Sequence, residues 1–377
     1  MTFIVFGLLS FYLPYFSPSS YTIQNVNVNL HFDGDNAYEY VEDQLDIGFR
    51  IPGTQERINC ASYFISKFLE IDSNFTYFLH NFTTHMTECQ NILFKLNENY
   101  NNIVILGAHY DTRAKATKDP NIIDRDNPVP GANDGASGSA VLMELARVLH
   151  QNRENLSSQI WFLFFDAEDQ GRDNAYGIDG WAWCEGSVRF VDEIDNFYDS
   201  LIERFECMIL LDMVGGINLQ FISEQYSTSS LLGEIFAIGR ELGYFAQFPT
   251  NPTKGSIFDD HIAFLDIGIP AADLIINFWN NPNWPYHHTI QDDITHVENS
   301  SLEITGRTIE QFIYNNYYFP LDDPYDGNYP WNIDKDLVIV ELIMILSIIF
   351  AVVAIIILFL NLIKDSNHKS LIRRDLI

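Results

Sequence analysis

The sequence predicts an α/β fold, a sheet covered by helices on both faces, followed by one C-terminal transmembrane helix. Three observations carry this. Apolar, β-rich runs occur at 91–95, 102–107, 160–165, 207–212 and 271–276. Helical periodicity lies between and beside them at 55–70, 136–150, 228–242 and 299–314. Near-continuous apolar strands separated by helices mark a sheet buried on both faces, an α/β sandwich. The third observation is Leu342–Leu360, apolar throughout apart from Ser347. At about 1.5 Å per residue such a helix spans roughly the 30 Å hydrocarbon core of a bilayer.

The elements divide the 377 residues into one large body with short flanking segments. Residues 3–16 are apolar and run into Ser17-Pro18-Ser19-Ser20, so 1–20 reads as a signal peptide or, lacking a basic start, an uncleaved N-terminal anchor. Residues 21–320 form one large domain, and the Asp-, Pro- and Asn-rich 321–336 a juxtamembrane linker. The spanning helix is placed at 337–363. The tail 364–377 holds Lys364, Lys369, Arg373 and Arg374 against Asp365 and Asp375. Positive-inside asymmetry then puts that tail in the cytoplasm and the domain outside, extracellular or lumenal, as a single-pass membrane protein.

Composition narrows the function. Hydrophobic residues make up 47% and aromatics 14%, enough for a substantial core. The formal net charge of -30 argues against nucleic acid as a partner and favours substrates that carry positive charge. Cys60, Cys89, Cys184 and Cys207 are too few for a disulfide scaffold. An oxidising exterior would permit Cys60 and Cys89 to pair.

Three of the apolar strands run into polar residues that a core would reject. Strand 102–107 leads to His109 and Asp111 in GAHYDTR. Strand 160–165 leads to Asp166, Glu168 and Asp169 in FFDAEDQG, and strand 207–211 to Asp212. Carboxyl ends of strands in open α/β sheets are where ligands bind. Asp134 adds a carboxylate in PGANDGASG, whose small residues allow close backbone approach, and His288 follows in PYHHTIQDD. Taken singly, Asp134 reads as a helix N-cap, Asp212 as a turn carboxylate and His288 as a surface imidazole. Taken together, carboxylates gathered at one sheet end repel unless a cation holds them, and mixed His and carboxylate donors suit zinc. Two ions bridged by one carboxylate suit two His and three acidic ligands.

The blocks GAHYDTR, PGANDGASG, FFDAEDQG, LLDMVG, DDHIAFLDIGIPA and HHTIQDD, in that order, resemble the zinc-dependent exopeptidase (aminopeptidase) family that also includes glutaminyl-peptide cyclotransferases. The likeness runs from RIPGTQER at 50–57 to the helix ending near Tyr314. It implies a three-layer α/β/α sandwich with a mixed, largely parallel central sheet. It implies His109, Asp134, Asp169, Asp212 and His288 as zinc ligands, with Asp134 bridging. Glu168 falls at the general base, Asp111 at the residue that orients His109, and Asp259 (or Asp260) in the hydrogen-bond network beside Glu168. Asp169 departs from the usual Glu and must reach further with a shorter side chain. Thr289 and Asp292 set the register that selects His288 over His287.

The resemblance implies zinc, two ions for a peptidase or one for a cyclase, and a peptide substrate with a free N-terminus. A membrane-anchored metallo-aminopeptidase is the expected enzyme. Glutaminyl-peptide cyclotransferase is the alternative: RIPGT and the doubled Asp of FDDH lean towards it. His287 stands where cyclases resemble one another in having Trp, and no Cys lies between 90 and 183, which lean against it. A non-catalytic receptor-like ectodomain is the third reading. WAWCEGS at 181–187 offers either an aromatic wall over the pocket or ordinary packing.

Overall fold

A computed structural model describes residues 25–172, 180–278 and 284–318, with Ile348 besides. Six strands form the central sheet: β1 Thr76–Thr84, β2 Thr87–Leu96, β3 Asn102–His109, β4 Gln159–Phe165, β5 Arg204–Asp212 and β6 Ala271–Ile275. Their order is β1-β2-β4-β3-β5-β6. The β1–β2 hairpin pairs antiparallel and joins β4 antiparallel, while β4, β3, β5 and β6 run parallel. The sheet is therefore mixed and mostly parallel. All seven residues of β4 are buried, as a central strand covered on both faces requires.

Helices α1 Gly34–Ile47, α2 Gln55–Ile71, α3 Ala136–Gln151, α5 Ser229–Glu241 and α7 Asn299–Tyr317 make one layer, built around contacts of α3 with β3 and of α7 with α1, α3 and α5. Helices α4 Glu185–Asp192 and α6 His261–Asp266 pack on the other face, against Leu93, Ile105, Leu163, Phe165, Met208 and Leu210. On the α2 side, Phe68 stacks on Phe94 with ring centroids 3.7 Å apart, and Phe64 stacks on Phe164 at 4.6 Å. Each such buried ring contributes about 1.5–3 kcal/mol relative to exposure. All four cysteines are buried free thiols, so Cys60 and Cys89 do not pair.

The parallel strands bring the ends of β3, β4 and β5 to one edge, and α3 is drawn tightly against it. A Cβ on Gly138 would sit 2.0 Å from the backbone oxygen of Leu211. Only glycine permits this approach, and it sets the start of α3 beside Asp212. Asp134 does not cap that helix. The cap position belongs to Gly135, with φ of 104°, and no side chain caps it.

The leader at 1–20, the linker at 321–336, the spanning helix at 337–363 (Ile348 apart) and the tail at 364–377 lie outside the described residues. Among the described residues, no helix is long and apolar enough to cross a membrane. Helix α7, 19 residues long, carries Glu303, Arg307 and Glu310 within it. The single-pass membrane placement with an extracellular or lumenal domain is corrected on this finding. It rested on the apolar run at 342–360 and the basic residues after it, and a span needs an apolar helix of about 20 residues.

Behind the sheet end, Glu224 ties three segments together. Its carboxylate accepts hydrogen bonds from Tyr226 N (3.1 Å), Ser227 N (2.6 Å) and Ile257 N (3.0 Å), and lies 3.2 Å from His261 Nε2. Burial alone would raise its pKa, but His261 and the backbone donors overrule burial and hold it at about 2. A depressed carboxylate pKa stabilises the fold fully above the unfolded value of 4.5 and ceases to do so as pH falls through about 2.

Two outcomes are expected. Gly138→Ala should destabilise by about 1–3 kcal/mol, because the clash is with backbone that cannot rotate away; an unchanged melting temperature would show that α3 moves freely. Glu224→Gln should lose about 1–3 kcal/mol in urea unfolding at pH 7. The gap from the parent should narrow between pH 4.5 and 2, and a gap constant over that range would refute the linkage.

Candidate metal centre

Each site residue sits where a strand or tight turn ends. His109 closes β3 and Asp212 closes β5. Glu168 and Asp169 follow the exit of β4 through Ala167, whose φ is 61°. Met213, directly after Asp212, has φ of 48°, and His288 itself has φ of 59°. Left-handed backbone at non-glycine residues costs about 1–2 kcal/mol each and persists where surrounding contacts impose it.

Those contacts are specific. Asp111 accepts from Glu168 N (3.0 Å), Asp169 N (3.3 Å) and Gln170 Nε2 (3.0 Å). Its Oδ1 lies 3.6 Å from His109 Nδ1, so it holds the 168–170 turn more closely than it orients the imidazole. Asp292 accepts from the backbone nitrogens of Asn133 (2.8 Å) and Asp134 (3.0 Å), which fixes the PGAND loop. The buried guanidinium of Arg50 donates to the carbonyls of Tyr110, Pro130 and Gly131, joining that loop to the exit of β3.

The five expected ligand positions converge. His109 Nε2 lies 3.2 Å from Asp134 Oδ1 and 3.2 Å from Asp212 Oδ1. His288 Nε2 lies 3.6 Å from Asp134 Oδ2 and 3.0 Å from Asp169 Oδ1. Each oxygen of Asp134 thus faces a different histidine. Donor atoms of His109, Asp134 and Asp212 fall within 4.8 Å of one another, as do those of Asp134, His287 and His288. Asp134 Oδ2 and Asp169 Oδ2 are buried without a hydrogen-bond donor. Buried anionic oxygens left bare are costly unless a cation meets them, so the donor set fits zinc.

The charge distribution agrees. Burial raises the pKa of Asp169 to about 6 against the pull of Arg113, and raises Asp212 to about 6 against that of His109. Burial works against a charged His109, yet Asp111, Asp134 and Asp212 lift its pKa well above the usual imidazole value. The site collects more negative charge than its own cations balance.

Glu168 faces this centre, its Oε2 4.0 Å from His109 Nδ1. Asp259 lies beside it, with donor atoms of Glu168, Cys184 and Asp259 within 4.8 Å of one another. Burial, with help from neighbouring acids, raises Glu168 well above the ordinary carboxyl value and Asp259 to about 7. Asp260 is buried beside Asp259, and His261 points away to Glu224. A cavity of about 220 Å³ opens on the centre, walled by Trp183, Ile257, Phe258 and Phe278. Trp183 therefore forms a pocket wall and stacks on His288, while Trp181 packs on Phe82, Cys89 and Ala167.

Several residues at the site carried no role in the sequence reading. The Cys184 thiol donates to Glu168 Oε1 at 3.5 Å. Arg113 donates to the carbonyls of Asp169 (2.6 Å) and Gly171 (2.9 Å) and lies under Trp183. Asp292 was assigned only as a register mark. His287, set aside there, also borders the cavity, with Lys118 Nζ 3.1 Å from its Nδ1.

With the geometry in place, comparison decides the family. The model of Peptidase family M28 matches residues 91–313. The chain belongs to peptidase family M28. Within the family it is similar to the glutaminyl cyclase of Bacteroides thetaiotaomicron solved with N-acetylhistamine, at 31% identity and a TM-score of 0.68, over 76% of this chain and 99% of that one. It is equally similar to a Zn-dependent exopeptidase of Parabacteroides distasonis, at 30% identity and 0.68, over 76% and 100%. Aminopeptidase YwaD of Bacillus subtilis is 28% identical over 219 residues, 56% of this chain and 40% of that protein. The glutaminyl-peptide cyclotransferase of Bos taurus is 26% identical over 248 residues, 59% of this chain and 65% of that protein. The match thus covers about half the length of these two curated relatives.

His288→Ala should weaken zinc binding by more than the roughly 10–100-fold that loss of an outer partner costs. His287→Ala should leave bound zinc unchanged, because Lys118 already engages its Nδ1. Equal zinc loss in both variants, measured by metal analysis of the full chain, would make His287 a ligand.

Proposed function

We propose that this domain is a zinc metallo-exopeptidase that removes N-terminal residues from peptides. The observation that carries the reading is Asp134, whose two oxygens face separate donor sets, next to Glu168. In this reading His109, Asp134 and Asp212 would hold one zinc, and Asp134, Asp169 and His288 would hold a second. When bound, zinc lowers the pKa of a water molecule and offsets negative charge on the substrate's carbonyl oxygen.

The chain's own residues do the rest. Glu168, with its raised pKa, takes the proton of the attacking water and delivers it to the departing amine. Asp111 holds the backbone of 168 and 169 so that base and ligand keep a fixed offset. The carboxylates draw in the ammonium of a free N-terminus, which the formal charge of -30 also favours. Trp183, Phe258 and Phe278 exclude water and face the substrate's first side chain.

A second reading, glutaminyl cyclisation, has its own support. Asp259 stands beside Glu168, and burial holds both carboxyls above their ordinary pKa, so each keeps a proton more readily. Such a pair suits removal of a proton from the attacking α-amine and its return to the ammonia that leaves a glutamine side chain. Several similar solved structures are cyclases.

Glu168→Gln should lower turnover by at least about 10²-fold while zinc content stays normal. Concurrent loss of zinc would make Glu168 a ligand instead. Mass spectrometry of a peptide with N-terminal Gln separates the two reactions. Release of the free amino acid, abolished by chelator, is the expected result. Loss of ammonia alone would move the assignment to the cyclase.

A further inference from the structure

We propose that Lys118 is a specificity residue that recognises a carboxylate on the substrate's second residue. The proposal rests on a peptide N-terminus binding at the metal centre, and holds whether the reaction there is hydrolysis or cyclisation. Among the described residues lining the cavity, Lys118 is the one Lys or Arg. The others include Asp134, Glu168, Asp169, Asp212 and Asp259. A substrate with an acidic group near the reacting amide would be repelled by those carboxylates unless a cation met it.

The position of Lys118 is built, although its side chain is exposed. Its backbone nitrogen donates to His288 O at 3.1 Å. The next residue, Asp119, accepts from Ile290 N at 3.1 Å, beyond the same histidines. The segment is thereby fastened on both sides of Thr289 to the loop that carries His288. From that base Nζ reaches to 3.1 Å from His287 Nδ1, and the opposite ring nitrogen of His287 lies 3.9 Å from Asp134 Oδ2. One imidazole therefore separates the ammonium from the carboxylate at the centre of the site.

That spacing selects the partner. The first residue of the substrate occupies the metal centre and the apolar walls, so the group that meets Lys118 belongs to the residue after it. An ammonium has three donors, so a carboxylate can join the partners Lys118 already has, His287 among them. The carboxylate has two sources: the main-chain terminus of a dipeptide, or an Asp or Glu side chain at the second position of a longer peptide. A cavity of about 220 Å³, below the roughly 300–1,000 Å³ of drug-sized pockets, suits a ligand on the dipeptide scale.

The test uses the full zinc-loaded chain carrying Glu168→Gln, so that peptides bind without turnover. Calorimetry compares Gln-Ala, Gln-Ala-amide and Gln-Glu-amide. At least one carboxylate peptide should bind about fivefold more tightly than Gln-Ala-amide, as for an exposed ion pair, and added salt should reduce the difference. Preference for Gln-Ala identifies the main-chain source, and preference for Gln-Glu-amide the side-chain source. Adding Lys118→Met should abolish the preference while leaving affinity for Gln-Ala-amide unchanged, which also shows that the variant is folded. Lys118→Arg should retain it. Equal affinities for all three peptides, or a preference that survives Lys118→Met, would overturn the proposal alone. Failure of every peptide to bind would overturn it together with the peptide-substrate reading.

Discussion

The site depends on one buried carboxylate, that of Asp111, which joins two strand ends. It leaves β3 two residues after His109 and receives the backbone of Glu168 and Asp169 beyond β4. Neighbouring parallel strands end at similar heights, but that alone does not aim their side chains. The hydrogen bonds to Asp111 do so, by turning the chain sharply through Ala167. With Asp111 in place, Glu168 and Asp169 face the region between His109 and His288, and the proposed base stands next to the proposed ligand.

A second constraint is charge. The close packing of α3 on β5 through Gly138 brings Asp134 and Asp212 together, and neither has room to turn into solvent. Gathering Asp134, Asp169 and Asp212 in a low-dielectric space is unfavourable without a counter-charge. Arg50 and Arg113 supply some of it, but their guanidinium groups donate mainly to backbone carbonyls. They shape loops more than they neutralise the centre. A bound cation would supply the missing counter-charge, which is how a fold specifies a metal site with few residues.

Much of this was legible in the chain. The five apolar runs correspond to β2 through β6, and the four periodic stretches to α2, α3, α5 and α7. These segments are buried on both faces or carry wide apolar stripes, so their pattern is strong. Strand β1 was not read, because it is an edge strand that exposes Tyr77 and Leu79 while burying His80, Phe82 and Thr84, so no apolar alternation marks it. Helix α1 was missed because its buried face is made of Gly34, Ala37, Val41 and Gln44, too small and polar to stand out. The acidic and histidine positions were visible as polar residues ending apolar strands. Arg113, Asp292 and Cys184 were not, since each acts across a large sequence separation on backbone or on a side chain, and nothing local marks such a partner. The apolar run near the C-terminus lies outside the described residues, whose helices include none long and apolar enough to cross a membrane.

The shorter ligand at Asp169 ties these threads together. Its carboxylate lies 3.0 Å from His288 Nε2, although it is one methylene shorter than Glu. Arg113 holds the backbone there by donating to the carbonyls of Asp169 and Gly171, with Thr117 Oγ1 accepting from its Nε at 3.1 Å. Lys118 follows Thr117 directly, and its own nitrogen is bonded to His288 O. The segment 113–119 therefore sets the reach of the ligand on one side and the place of the pocket's cation on the other. A change in that segment would move both at once, so the substitution of Asp for Glu at 169 and the cationic rim belong to one local solution rather than two.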